Sequence, residues 1–381
     1  MQAAAPMQIR VTPLYSPMPQ PRLRPSISAR KLPCPSGEQS RHSCATTTSR
    51  APTPLRNPSM PDRRFDHVEE LAKAGLSAPD ETTLHYLWQI VDEGVLGASK
   101  HVNLGNELLL HILGAYPDKG EALERARRVA DYIARTRGQD TPVIGNSLAL
   151  LLAGLDSEPE QAAALRQRIE NWNKSAAERK NTLVSIATKH LSASRGIMAF
   201  DYSSTVAAIV LALAKANPEL TIVVPESRSI AGGARYLEEF LPAGLSMRYI
   251  PDAAIEFGLS LCDTAVFGVE TLRADGSFLN TIGSRLIARL AREQDKEVFG
   301  CTDLLKLDMR SYEGHRPEPA IRNYDRLLHG GLTIKDIGRA DTHAPELEVI
   351  PAELTTAILT EYGPVPPQAI WNLGRSVFKA L

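Results

Sequence analysis

The stretch IMAFDYSST, residues 197–205, decides the fold: an apolar run ends on an acid, Asp201, and breaks into hydroxyls before the apolar segment STVAAIVLALAKA at 204–216. Upstream of it apolar residues recur every three or four positions, and downstream they come in short blocks separated by helical patterns. DETTLHYLWQIVDEGVLGAS, with Pro79 and Asp80 in capping positions, sets Leu84, Leu87, Ile90, Val91 and Val95 on one helix face. NLGNELLLHILGAY, EALERARRVADYIART and a long run from Glu158 to Leu191 continue the helical period. The region from 62 to about 195 therefore reads as a helical bundle.

After Gly196 the blocks GIMAF, TIVVP, LSMRYI, TAVFG and EVFG alternate with helices expected over 204–215, Gly232–Phe240 and 282–293, and a looser segment follows to the C-terminus. Strands alternating with helices predict βαβ units, hence a parallel sheet with right-handed crossovers. Ligands of such sheets bind in the crevice outside the carboxyl ends of the strands. The informative residues are therefore those that follow a strand.

Four stretches meet that condition. Asp201, Tyr202, Ser203 and Ser204 follow the first strand and open a helix, whose free amides and dipole favour an anion. Glu226, Ser227 and Arg228 follow the second and lead to Gly232 and Gly233 at another helix start. Glu270 follows a later strand, and FLNTIGSR puts Asn280, Gly283 and Ser284 at one more helix start. An arginine, small residues and several helix starts suit a phosphorylated small molecule. Each has a plainer use: Ser203 and Ser204 as N-caps, the glycines as close-packing points, Arg228 as the ion-pair partner of Glu226, and Asp201 and Glu270 as hydrogen-bonded strand-end acids.

Composition narrows the classes. The chain has 381 residues, 43% hydrophobic and 23% charged, with a formal net charge of -1, so no global field points to nucleic acid or an anionic membrane. No stretch reaches the roughly 18 uninterrupted apolar residues of a membrane span. Cys34, Cys44, Cys262 and Cys301 show no CxxC spacing, so neither a disulfide framework nor a zinc site is expected. No metal or cofactor is expected, and the location expected is cytoplasmic. Cys262, before a strand, reads as packing, and Cys301, at a strand end, is the alternative nucleophile.

Residues 1–59 stand apart, with eleven prolines and eight basic residues against one acid, Glu38. Such a segment buries too little to offset its ordering entropy, and disorder is expected. An over-extended gene start is the preferred reading, because Met60 opens directly onto the first helical pattern. An organellar transit peptide and a partner-binding tail are the alternatives.

TRGQDTPVIGNSLALLLAGL, then ESRS with GG, IPDAAI, VFGVETLRADGSFLNTIGS and EVFGCTDLLKLD, in that order over about 62–310, resemble one superfamily. It joins the alpha, beta and delta subunits of translation initiation factor 2B to methylthioribose-1-phosphate isomerase and ribose-1,5-bisphosphate isomerase. The resemblance implies an α/β protein: an N-terminal helical domain over 60–195, followed by a Rossmann-like parallel-sheet domain over 196–381 that binds ligand and dimerises. It implies that Arg137 and Gly138 are the family's phosphate-contacting turn and Arg228 its substrate-binding arginine.

The isomerases of the superfamily use a cysteine at the end of the first strand and the aspartate of a GAD segment. Here those positions hold Asp201 and, in Gly268-Val269-Glu270, a glutamate. Thr281 stands where the family has a lysine. The leading expectation is therefore a regulatory, initiation-factor-like protein that binds a sugar phosphate or nucleotide through Arg137, Gly138, Ser203, Ser204, Arg228 and Asn280. The alternative is an aldose–ketose isomerase in which Asp201 and Glu270 share a proton and act as acid and base. A third is a structural subunit with a vestigial pocket. The partners expected are the phosphorylated ligand and either a second copy or related subunits, with no nucleic acid and no membrane.

Overall fold

The computed structural model describes residues 66–76, 79–95, 97–324 and 339–378. The reading of residues 1–59 lies outside them. The chain opens with helices α1 (His67–Lys73), α2 (Glu81–Ile90), α3 (Ala98–Ala115), α4 (Lys119–Arg135), α5 (Arg137–Asp140), α6 (Pro142–Leu152) and α7 (Gln161–His190). Asp80 caps α2 as its sequence position predicts, its carboxylate accepting from the Thr83 amide at 2.7 Å. Leu87, Ile90, Leu108, Leu109, Ala126, Val129 and Ile133 turn inward from α2, α3 and α4 and are at most 1% exposed. That is the face their three- and four-residue spacing defines.

The second half alternates as expected: β1 (Gly196–Phe200), α8 (Ser204–Ala216), β2 (Thr221–Pro225), α9 (Gly232–Phe240), β3 (Arg248–Ile250), α10 (Ile255–Ser260) and β4 (Thr264–Gly268). A hairpin of β5 (Thr271–Arg273) and β6 (Phe278–Thr281) precedes α11 (Ser284–Glu293) and β7 (Glu297–Cys301). The remainder supplies β8 (Leu307–Asp308), β9 (Ile321–Asn323), β10 (His343–Pro345), β11 (Leu347–Ile350), β12 (Ala357–Thr360), β13 (Gly363–Val365) and α12 (Ile370–Val377).

The main sheet has seven strands in the order β13-β12-β7-β4-β1-β2-β3, parallel except for β13 at one edge. The segment expected to be looser thus completes this sheet, β12 lying parallel to β7 with Leu359 opposite Cys301. Its β11 also pairs with β6, in a smaller sheet ordered β11-β6-β5-β8. Its strands are only three or four residues long, too short to show a period.

β1 is buried at all five positions and its side chains divide by parity. Ile197 and Ala199 pack with α8 residues, whereas Met198 and Phe200 join the apolar core that extends into the helical region. The 30-residue α7 serves both layers, with Leu165, Ile169 and Trp172 in the helical core and Leu183 and Ala187 against the sheet. Asn146 on α6 donates to the carbonyls of Leu305 and Leu307, each at 2.8 Å, and Arg310 donates to Gln139 Oε1 at 2.6 Å. Those bonds dock α5 and α6 against the chain that leaves β7.

Strand order reverses at β1: β2 and β3 build outward on one side, β4, β7 and β12 on the other. The crevice of such a sheet opens at that switch, beyond the carboxyl ends of β1 and β4. Phe200 pairs in register with Phe267, so Asp201 and the Gly268–Glu270 turn emerge side by side.

Candidate functional site

Asp201 leaves β1 with φ of 58°, a left-handed turn that aspartate tolerates better than most residues. The turn folds its carboxylate back into the molecule, where the residue is 8% exposed. Oδ2 accepts from the Thr281 hydroxyl at 2.6 Å and Oδ1 from the Tyr202 amide at 2.7 Å. Gly232 makes room for it: a Cβ there would lie 2.3 Å from Asp201 Oδ1. Burial pushes the Asp201 carboxyl above its ordinary value, and the Glu270 charge adds to that. The two hydrogen bonds and the Arg235 charge oppose the rise without cancelling it.

Glu270 follows β4, its side chain 32% exposed and its Oε2 4.0 Å from Lys306 Nζ. Lys306 also donates to the Val269 carbonyl at 2.5 Å, which fixes its ammonium beside the turn. No hydrogen bond joins Asp201 to Glu270 among the described residues. The proton-sharing pair expected from sequence is replaced by two separate carboxyls: Asp201 closed in by Thr281, Glu270 facing a lysine. Thr281, read as the loss of a family lysine, is instead the residue that positions Asp201.

The other predicted residues divide between the crevice and its walls. Ser203 caps α8, accepting from the Val206 amide at 3.4 Å, and a Cβ on Gly268 would stand 2.6 Å from its Cβ. Ser204 accepts from Lys180 Nζ at 3.2 Å. Arg228 is half-exposed and lies 3.7 Å from Glu226 Oε2, while the amides of Ser227 and Arg228 bind the two Asp252 carboxylate oxygens at 2.9 Å each. Asn280 is buried and donates to Ser284 Oγ at 3.0 Å. Gly138 meets Gly145, a Cβ there lying 3.3 Å from the Gly145 Cα, so its smallness serves the packing of α5 on α6.

Two of the helix starts expected to attract an anion have side-chain caps of their own. Ser203 serves α8, and at α11 Glu348 Oε1 accepts from the amides of Gly283 at 2.6 Å and Arg285 at 2.9 Å. The carboxylate arrives on β11, opposite Asn280, and that pairing was not readable from local pattern.

Arg137 begins α5, 13% exposed at its side chain, and its Nη2 lies 2.8 Å from Glu93 Oε1. Glu93 also lies 3.4 Å from Arg322 Nη2, and Arg322 Nε lies 2.7 Å from Glu346. Lys306, Glu93 and His101 are residues that sequence reasoning did not single out. Lys306 sits in EVFGCTDLLKLD, one of the stretches that carry the resemblance, and was the one with a usable signal. Cys301 is 2% exposed and burial pushes its thiol up to about 12, as it does that of Cys262, so both are packing residues.

The sequence pattern of the initiation factor 2 subunit family matches residues 105–367. The chain belongs to that family. Ribose 1,5-bisphosphate isomerase of Haloterrigena turkmenica is 28% identical over 276 residues, 68% of this chain and 83% of that protein. The enzyme of the same name from Archaeoglobus fulgidus is 22% identical over 72% of this chain and 86% of its own length. Among solved structures, translation initiation factor eIF-2B of Pyrococcus horikoshii superposes with a TM-score of 0.63 at 19% identity, covering 76% of this chain and 98% of its own. Methylthioribose 1-phosphate isomerase from the same organism gives 0.62 at 20% identity, covering 78% and 88%. These likenesses establish the fold as an α/β one with a helical N-terminal region. Within the family, these two relatives named as isomerases match over more than four fifths of their own length and further ones over about half to three fifths of theirs, which favours the isomerase reading over the regulatory one. No helix among the described residues is long and apolar enough to cross a membrane.

Proposed function

We propose that this family member is an aldose–ketose isomerase acting on a phosphorylated ribose, with ribose 1,5-bisphosphate the first candidate. The observation that carries the reading is Asp201: a buried carboxyl, pushed above its ordinary value, at the strand end where the family's isomerases place their cysteine. A carboxyl held above its ordinary value can do what a thiol does there, acting as a proton donor inside a crevice.

Isomerisation of a cyclic aldose 1-phosphate breaks the bond between C1 and the ring oxygen and moves a hydrogen from C2 to C1. In the proposed sequence Asp201 gives its proton to the departing ring oxygen while Glu270 removes the proton on C2, leaving an enol across C1 and C2. Glu270 then returns its proton to C1, and the enol hydroxyl passes its proton to Asp201 as the C2 ketone forms. Both carboxyls end as they began, so no co-reactant is needed. Lys306, beside Glu270, supplies the cation that Thr281 does not. Arg137 and Arg228 are assigned to the phosphates, with Ser203, Ser204, Gly138 and Asn280 shaping the crevice around them. A homodimer or an assembly with related subunits is the proposed quaternary state.

The test is to incubate the protein with ribose 1,5-bisphosphate and follow phosphorus and proton NMR spectra. Conversion to the ketose is expected, and Asp201→Asn and Glu270→Gln should each lower kcat by about 10²–10⁴-fold while staying folded. Unchanged rates in both variants would remove the acid–base assignment. Line broadening without conversion would leave a ligand-binding regulatory protein.

A further inference from the structure

His101 lies on α3 and is 1% exposed. Its Nε2 is 2.7 Å from the Val95 carbonyl, which can only accept, so Nε2 carries the hydrogen; burial holds the ring below its ordinary pKa, and in the neutral ring Nδ1 presents a bare lone pair. That Nδ1 is buried with no hydrogen-bond partner among the described residues, and so is the Nε of Arg137. One short turn holds both groups: Glu93 pairs with Arg137 Nη2, and two residues later Val95 anchors the imidazole. The Glu93–Val95 turn thus ties the imidazole to the segment that holds the Arg137 guanidinium.

A buried acceptor and a buried donor without partners each cost free energy, and a ligand that completes both recovers it. A phosphate ester dianion has no hydrogen to give Nδ1. A sugar hydroxyl does, and sugar oxygens can also accept from Nε. Resting on the isomerase reading above, we infer that His101 is a substrate-binding specificity residue: its Nδ1 accepts a hydrogen bond from a ribose hydroxyl, and Arg137 Nε donates into the same sugar. The pair would select a polyhydroxy sugar ester over inorganic phosphate or a deoxy analogue.

Two variants separate this role from a structural one. His101→Gln can still donate to Val95 but has no acceptor at the position of Nδ1. His101→Asn keeps an acceptor near that position but gives up Val95. Calorimetric titration with ribose 1,5-bisphosphate should show affinity falling about tenfold or more in His101→Gln and staying within about threefold in His101→Asn, with inorganic phosphate binding equally to all three proteins. The reverse order, or wild-type affinity in His101→Gln, would show that Nδ1 meets only water, and the inference fails alone. In the unsubstituted protein, the His101 Nδ1 nitrogen resonance should move on saturation with the bisphosphate, and a signal that stays in place overturns the proposal without any mutant. If the wild-type protein neither binds nor converts the bisphosphate, the isomerase reading falls and takes this inference with it.

Discussion

Replacing Thr281 with valine keeps the shape of the side chain and removes the hydroxyl that donates to Asp201 Oδ2 at 2.6 Å. Thr281 is 3% exposed, so water does not readily take its place. A hydrogen bond to a charged group contributes about 1.5–3 kcal/mol and one between neutral groups about 0.5–1.5 kcal/mol. The loss should therefore depend on the charge of Asp201. Its folded-state pKa lies above the unfolded value, because burial and the Glu270 charge outweigh the bonds that favour the anion. A group so shifted adds stability that is fully present below its unfolded pKa of about 3.9 and is lost as pH rises through the folded value. Above that value the carboxylate is ionised and depends most on Thr281. Urea unfolding of Thr281→Val across a pH series should show a deficit of about 1.5–3 kcal/mol at the alkaline end, falling to about half at the acidic end. An equal deficit at both ends would refute the assignment of Thr281 as the group that holds the Asp201 anion, and no deficit at the alkaline end would refute the contact.

A second carboxyl carries a pH signature of its own: burial, with the charge of Asp303 adding to it, pushes Glu361 up to about 7. Its folded-state value is raised, so its contribution is present below about 4.5 and is lost as pH climbs through about 7, by no more than about 3 kcal/mol. Glu361→Gln should remove that part of the slope between unfolding free energies measured at pH 5 and pH 8, and an unaltered slope would exclude Glu361 as its source. Gly268→Ala would place a Cβ 2.6 Å from the Ser203 Cβ, forcing the end of β4 off the start of α8 at a cost of about 1–3 kcal/mol. Adding Ser203→Gly should recover much of that loss by relieving the clash, and a Gly268→Ala protein with wild-type thermal stability would show that the two strand ends are not in contact.

The local patterns carried much of the architecture. Apolar periods of three to four and of two are consequences of backbone geometry, and they placed α8, α9, β1, β2, β4 and α11 within a few residues of their observed bounds; α2 begins as expected but stops at Ile90, so Val95 lies past the helix that the period assigned it to. The alternation of strand and helix required a parallel sheet, and a parallel sheet requires a crevice at its carboxyl edge, so Asp201 and Glu270 were legible as residues of one region. The fates of Cys262 and Cys301 differ in this respect. The first could be assigned to packing from residue type, whereas the second needed the neighbouring β12, which covers it.

The partner of each functional group came from far along the chain, where no period reaches. Asp201 depends on Thr281, eighty residues on, because strand order sets the β5–β6 hairpin over the end of β1. The amides of α11, free to bind an anion on local grounds, are taken by Glu348 because β11 pairs with β6. Arg137 and His101 meet only through the turn at Glu93–Val95, and Lys306 reaches Glu270 through the chain that leaves β7. Residue type and spacing therefore settled which elements form and which edge of the sheet is chemical. Tertiary packing decided which acids are buried, which cations face them and which polar atoms are left open, because those depend on desolvation and contact between segments that the linear order keeps apart.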